Sequence, residues 1–166
     1  MFAPDRLQLP SANTEGAVRQ RVQLHIDSLY GPLVPVALRP EPERAEMLRN
    51  MGRDVPTQVQ GWGLIDTGAR QTCIDERMAH RLYQQVGVAQ TYTPSTQDSE
   101  PHEAPVYYGL MAFPGTPLPQ IEQTMLGMAL GYTVQGGTVV ALLGRDWLAG
   151  LRMIYDGPTG QLDIYV

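Results

Sequence analysis

From Val18 onward apolar and polar positions alternate. Val22, Leu24 and Ile26 interleave with Gln23, His25 and Asp27, the two-residue period of a half-buried strand. Tyr30-Gly31-Pro32 marks a turn and 33–38 is a second apolar run, so the pair predicts a hairpin. Pro40 and Pro42 break that pattern. The charged stretch 41–50 carries Ala45, Leu48 and Met51 at helical spacing, with Gly52 where a helix would stop. Strand character returns over 58–65. Asp75 then stands as an N-cap for a helix over 76–86, with Met78, Ala79, Leu82, Tyr83 and Val86 on one face and Gly87 ending it. The polar stretch 94–103 joins two extended segments, 90–93 and 106–113, as the tip of a long hairpin. Residues 120–130 alternate weakly, 138–143 form a buried-type strand, and 146–149 start a short helix. Two last strands, 153–155 and 161–166, flank the turn Asp156-Gly157-Pro158-Thr159-Gly160. The pattern predicts a mainly β chain with a closed or sandwich-like architecture and about three short helices.

Composition narrows the chemistry. The 166 residues suit one domain, read as 18–166, while 1–17 lack periodicity and are expected to form an arm. Gly (17) and Pro (14) imply many turns without reaching a low-complexity composition. A net charge of −5 gives no reason to expect nucleic-acid or anionic-membrane partners. All 12 cations are arginine, so a Schiff-base or P-loop lysine mechanism is excluded. One cysteine, Cys73, rules out an intrachain disulfide or a Cys-rich zinc site, and three scattered histidines leave little for a metal centre; no cofactor or metal is expected. The amino terminus shows no signal-peptide pattern and the apolar runs are short, so a cytoplasmic protein is expected.

Two segments carry chemistry. Leu64-Ile65-Asp66-Thr67-Gly68-Ala69 places a carboxylate at the end of an apolar strand, followed by small residues that let the backbone turn tightly. Taken alone, Asp-Thr-Gly is also a common turn. The second segment, Leu142-Leu143-Gly144-Arg145-Asp146-Trp147-Leu148, is again an apolar strand running into a short helix. In this order, with the long hairpin between them, the two segments resemble the retropepsin-like aspartic peptidases over about residues 18–166, and the bacterial branch more than the viral enzymes.

That resemblance implies a closed β-barrel of the acid-protease type with a flap hairpin, and an aspartic endopeptidase. The catalytic residues would be Asp66, Thr67 and Gly68. Such chemistry needs two carboxylates close enough to share a proton. The chain has one Asp-Thr-Gly and is too short for two lobes, so the second would be Asp66 of another copy in a homodimer. Thr67 would hydrogen-bond across the pair and Gly68 would offer its carbonyl to substrate. A polypeptide substrate would bind as an extended strand touching Gly68, Ala69, Arg70, His102, Val106 and Tyr107. Gly144, Arg145 and Asp146 would support the site, with the arginine tying the helix to the catalytic loop. Residues 161–166 would help form the subunit interface.

Some features depart from that family. Arg70 and Gln71 stand where many retroviral members have acidic residues, so an Arg70–Asp146 ion pair is expected in place of theirs. The hairpin tip carries Asp98, Glu100 and Glu103 rather than a glycine-rich run, which would disfavour strongly acidic peptides. Cys73, His80 and Asp75 are too poorly spaced for a Cys–His nucleophile, and Cys73 reads as core. Trp62 and Trp147 read as packing residues, and His25 as solvent-facing. The alternative function is a catalytically silent dimer of the same fold, acting as a peptide-binding or assembly module.

Overall fold

The computed structural model describes residues 20–91, 102–134 and 136–166. The expected arm and most of the hairpin tip, including Asp98 and Glu100, lie outside them. The elements run β1 (Arg21–Asp27), β2 (Gly31–Arg39), α1 (Pro42–Asn50), β3 (Val59–Ile65), β4 (Cys73–Asp75), α2 (Glu76–Leu82), β5 (Gln85–Thr91), β6 (His102–Ala112), β7 (Ile121–Met128), β8 (Thr133–Val134), β9 (Gly137–Leu143), α3 (Arg145–Leu148), β10 (Arg152–Asp156) and β11 (Gln161–Tyr165).

Six strands close on themselves in the order β2-β3-β9-β4-β7-β6, and the ring is completed by Ala37–Arg39 of β2 pairing with Leu110–Ala112 of β6. Closure leaves no free edge within the ring, which lets a mostly apolar set of strands stay paired throughout. Two of its pairings are parallel, β3 with β9 and β4 with β7. The barrel is filled by Val34, Val36 and Leu38 from β2, Ile65 from β3, Tyr107 and Met111 from β6, Met125 from β7 and Leu143 from β9. Burying one such side chain contributes about 1.5–3 kcal/mol.

Two extensions grow from the ring. β5 pairs along β6 from Gln85↔Tyr107 to Thr91↔His102, so the long hairpin expected from the sequence is present. On the other side β1, β11 and β10 continue from β2. Both edges of β11 are taken within the chain, one by β1 and one by β10. Among the described residues the open edge of this sheet therefore belongs to β10, not to the last strand.

Several boundaries differ from the sequence reading. α1 buries Ala45 and Leu48, but Met51 lies beyond its end and is exposed, and Gly52 takes the left-handed conformation (φ 66°) that stops the helix. α2 ends at Leu82 rather than Val86. Tyr83 is already extended (φ −123°, ψ 158°), its ring is buried, and its hydroxyl donates to the Leu110 carbonyl at 2.7 Å. Strand pairing with β6 outweighs continuation of the helix. Val86 is consequently an exposed strand residue, and Gly87 sits at a register shift in β5 rather than at a helix stop. β4, only three residues long, went unrecognised because its burial is complete rather than alternating.

Candidate active site

The parallel pairing of β3 with β9 sets Ile65 beside Leu143 and brings the two chemistry-bearing loops together. The Asp66 N–H donates to the Leu143 carbonyl at 3.0 Å, so Asp66 leaves the barrel directly beside Gly144. The loop then turns round its own carboxylate. Asp66 Oδ1 accepts from the Gly68 N–H at 2.8 Å and the Ala69 N–H at 3.3 Å. Two backbone donors thus fix one carboxylate oxygen, while Thr67 and Gly68 are exposed and Asp66 is half-buried. A small residue is needed at 68, since a Cβ there would lie 3.0 Å from Asp66 Oδ1.

The second loop locks the first. The Arg145 N–H donates to the Ala69 carbonyl at 3.0 Å and the Asp146 N–H to the Arg70 carbonyl at 3.3 Å. Arg145 therefore ties helix and loop through its main chain, and its side chain is exposed. The Asp146 carboxylate accepts from the Thr72 N–H (2.9 and 3.0 Å), the Thr72 hydroxyl (2.8 Å), Gln123 Nε2 (2.9 Å) and the Trp147 N–H (2.9 Å). Thr72 Oγ1 in turn accepts from the Gly144 N–H at 3.2 Å. A Cβ on Gly144 would come within 2.5 Å of the Gln71 carbonyl carbon and 2.9 Å of the Thr72 nitrogen, so only glycine permits this approach. Trp147 is buried and stacks on Phe113 with ring centroids 4.9 Å apart.

The expected Arg70–Asp146 ion pair is absent. Among the described residues the ion pairs are Arg21–Asp163 and Arg77–Asp75, and the oxygens of Asp146 are occupied by neutral donors. Thr72 and Gln123, which the sequence reading missed, do the work assigned to Arg70. The available signal for Thr72 was a polar residue directly preceding the apolar pair Cys73-Ile74; Gln123 offered none.

Other candidates fall elsewhere. His102 is exposed at the start of β6, opposite Thr91. Val106 is half-buried between β5 and β7. Tyr107 is 1% exposed and faces the core, where a Cβ on Gly127 would touch its ring at 2.7 Å; it is not placed to meet a substrate with its side chain. Cys73 is buried, and burial, reinforced by the negative charges of Asp146 and Asp66, pushes its thiol up to about 11. Such a thiol stays protonated and is no nucleophile at neutral pH. Trp62 is half-buried and lines a cavity of about 250 Å³ with Pro35, Pro114 and Gly137. Asp75 is buried and caps α2 through the N–H groups of Arg77 and Met78. Among the described residues no three His, Cys, Asp or Glu side chains group as they would to hold a metal ion, and no helix is long and apolar enough to cross a membrane.

A closed six-stranded barrel with a parallel β3–β9 pair, a long hairpin and interlocked Asp66 and Gly144 loops defines the retropepsin-like fold. Among solved structures, the crystal structure of a retropepsin-like aspartic protease from Rickettsia conorii matches with a TM-score of 0.50 and 12% sequence identity, over 89% of this chain and 91% of that one. No protein-family model matches the sequence, and no curated protein matches it. The likeness to that protease is therefore one of fold, at 12% identity.

Proposed function

We propose that the protein is an aspartic endopeptidase acting as a homodimer, with water activated between the two Asp66 carboxylates. The observation that carries this reading is the Asp66 loop itself. Its carboxylate is oriented by the Gly68 and Ala69 N–H groups, partly open to solvent, and braced from behind by Gly144–Asp146. A carboxylate whose only role was to close a turn would not call for the bracing that the buried Thr72 and the Asp146 carboxylate supply.

One carboxylate cannot both take a proton from water and polarise a carbonyl. Two, facing each other across an isologous axis, share one proton because like charges that close cannot both ionise. The ionised member draws a proton from water while the protonated member hydrogen-bonds the scissile carbonyl. The proton then passes to the leaving amine. The exposed Thr67 hydroxyl reaches across the axis, and the Gly68 carbonyl accepts from the substrate backbone. The β5–β6 hairpin serves as the flap, with the peptide held as an added strand beneath it. Arg70, His102 and Val106 flank that strand; Tyr107 supports it only from the core. The experiment is cleavage of a mixed peptide library by wild type and Asp66→Ala from about pH 3.5 to 7.5. Cutting by wild type alone, with a bell-shaped pH profile, is the expected result. A folded dimer that cuts nothing at any pH would replace this reading by that of a peptide-binding module.

A further inference from the structure

β10 ends the β2-β1-β11-β10 side of the sheet, and among the described residues nothing pairs with its outer edge. Exposed edges in soluble proteins are commonly blunted by charge, proline or a bulge. β10, Arg152-Met153-Ile154-Tyr155-Asp156, has no proline, its register with β11 is regular, and its two charges are of opposite sign and stand at its two ends. Its apolar residues are also unusually bare, with Ile154 43% and Tyr155 63% exposed.

The two faces of this small sheet follow from its registers, because residues directly opposite share a face. On the core face Val22, Ile164 and Met153 form one cross-strand row, and Leu24, Leu162 and Tyr155 the next. Val22, Leu24, Leu162 and Ile164 are buried, yet Tyr155 at the end of its row is not. The apolar row stops short, at an open backbone edge.

We infer that β10 is the strand through which two copies of this chain join, pairing antiparallel with itself about a two-fold axis at Ile154. The sequence is self-complementary in that register. Ile154 meets Ile154 of the second copy, Arg152 meets Asp156 in both halves, and Met153 meets Tyr155. Each charge finds its opposite, and the core-face row continues from Tyr155 into the second copy's Met153, Ile164 and Val22. Centring the axis on Met153 or Tyr155 instead sets Arg152 or Asp156 against Ile154. The contact is isologous and closes as a dimer, extending the three-stranded β1-β11-β10 sheet to twice its width. This inference rests on the homodimer proposed above, whose site is incomplete without a second Asp66. β10 also follows α3, whose first residue is bonded to the Asp66 loop, so strand pairing would set the relative position of the two catalytic loops.

The experiment compares the full chain with Asp156→Arg, Arg152→Asp and the double exchange, by sedimentation equilibrium over a wide concentration range. Each single change replaces two attractive pairs by two repulsive ones and should weaken the dimer roughly tenfold or more. The double exchange restores both pairs and should return the affinity to within roughly threefold. Circular dichroism on each variant separates loss of dimer from loss of fold. That separation is needed because Asp156 also accepts from the Thr159 N–H, and Arg152 lies over the Tyr165 ring. Hydrogen exchange should slow, as the dimer fills, at those amides of 153–155 that point away from β11.

Weakening by both single changes, with rescue by the double, establishes the strand pairing. Equal dimerisation by all four proteins, with cleavage that still needs Asp66, overturns the β10 assignment and leaves the shared-aspartate reading intact. Weakening without rescue overturns the register and with it the pairing. Protection of the amides in 153–155 that point away from β11, if it does not change with concentration, would mean the edge is covered within one chain, which also overturns it. A wild type that stays monomeric at high concentration removes both this inference and the homodimer it rests on.

Discussion

Replacing Thr72 by valine keeps the shape and β-branching of a fully buried side chain and removes one hydroxyl. That hydroxyl donates to Asp146 Oδ1 at 2.8 Å and accepts from the buried Gly144 N–H at 3.2 Å. A hydrogen bond to a charged group contributes about 1.5–3 kcal/mol, and a buried donor left unsatisfied costs about 1–3 kcal/mol. Asp146 keeps its bonds from the Thr72 N–H, Gln123 and Trp147, so the two contributions overlap and a total near 3 kcal/mol is expected. For a chain of this length that lowers the melting temperature by roughly 6–12 °C. Thr72→Ser is the control. It retains the hydroxyl and loses a methyl group, and should cost about 1 kcal/mol. The assay is denaturant unfolding of the three proteins followed by tryptophan fluorescence, since Trp147 donates its backbone N–H to the same carboxylate. A valine variant within about 0.5 kcal/mol of wild type would refute the role given to Thr72. So would serine and valine variants destabilised equally.

Two further predictions separate neighbouring claims. Arg70 is exposed and not paired with Asp146, so Arg70→Glu should shift the unfolding midpoint by no more than about 0.5 kcal/mol; a loss of 2 kcal/mol or so would reinstate the ion pair. Cys73 is held protonated by burial up to about 11, above its ordinary value of 9.0, so its stabilising contribution is complete below pH 9. Between pH 9 and 11 the unfolded chain releases the proton first, and stability should fall by about 2–3 kcal/mol. The fall should be missing from Cys73→Ala. Tyr83, also raised by burial, loses its share only above its ordinary value of 10.0, so the pH 9 to 10 interval reports on Cys73. A stability curve that is flat there in wild type would show that the thiol is not desolvated as described.

Elements whose side chains alternate or repeat with one period were legible in the sequence. β1, β2, β3 and β9 and the short helix after Gly144 lie where the pattern set them, within a residue or two. The loops of the candidate site were legible for a different reason, because Asp-Thr-Gly and Gly-Arg-Asp are short, glycine-dependent turns whose chemistry is local. What lay hidden depends on contacts between distant parts of the chain. Thr72 meets Asp146 across 74 residues, and no local pattern distinguishes it from any threonine at a strand entry. Tyr83 ends α2 because its hydroxyl finds Leu110, a partner chosen by the barrel rather than by the helix. Tyr107 was assigned to substrate from its place on the hairpin, but strand register decides which way it faces, and it faces the core. The neighbours of the last strand were hidden in the same way, since β11 pairs with β1 from the far end of the chain as well as with β10.

Mixing wild type with Asp66→Asn at constant total concentration, and following cleavage of one peptide as the proportion changes, asks whether one active site needs an Asp66 from each of two chains. Asp66→Asn preserves the size of the side chain and lets mixed dimers form. If both carboxylates are required, only dimers of two wild-type chains cut, and activity follows the square of the wild-type fraction, falling to about a quarter in an equal mixture. Activity that falls only to about half, in direct proportion to the wild-type chain, would mean that each chain cuts with its own aspartate and would contradict the shared site.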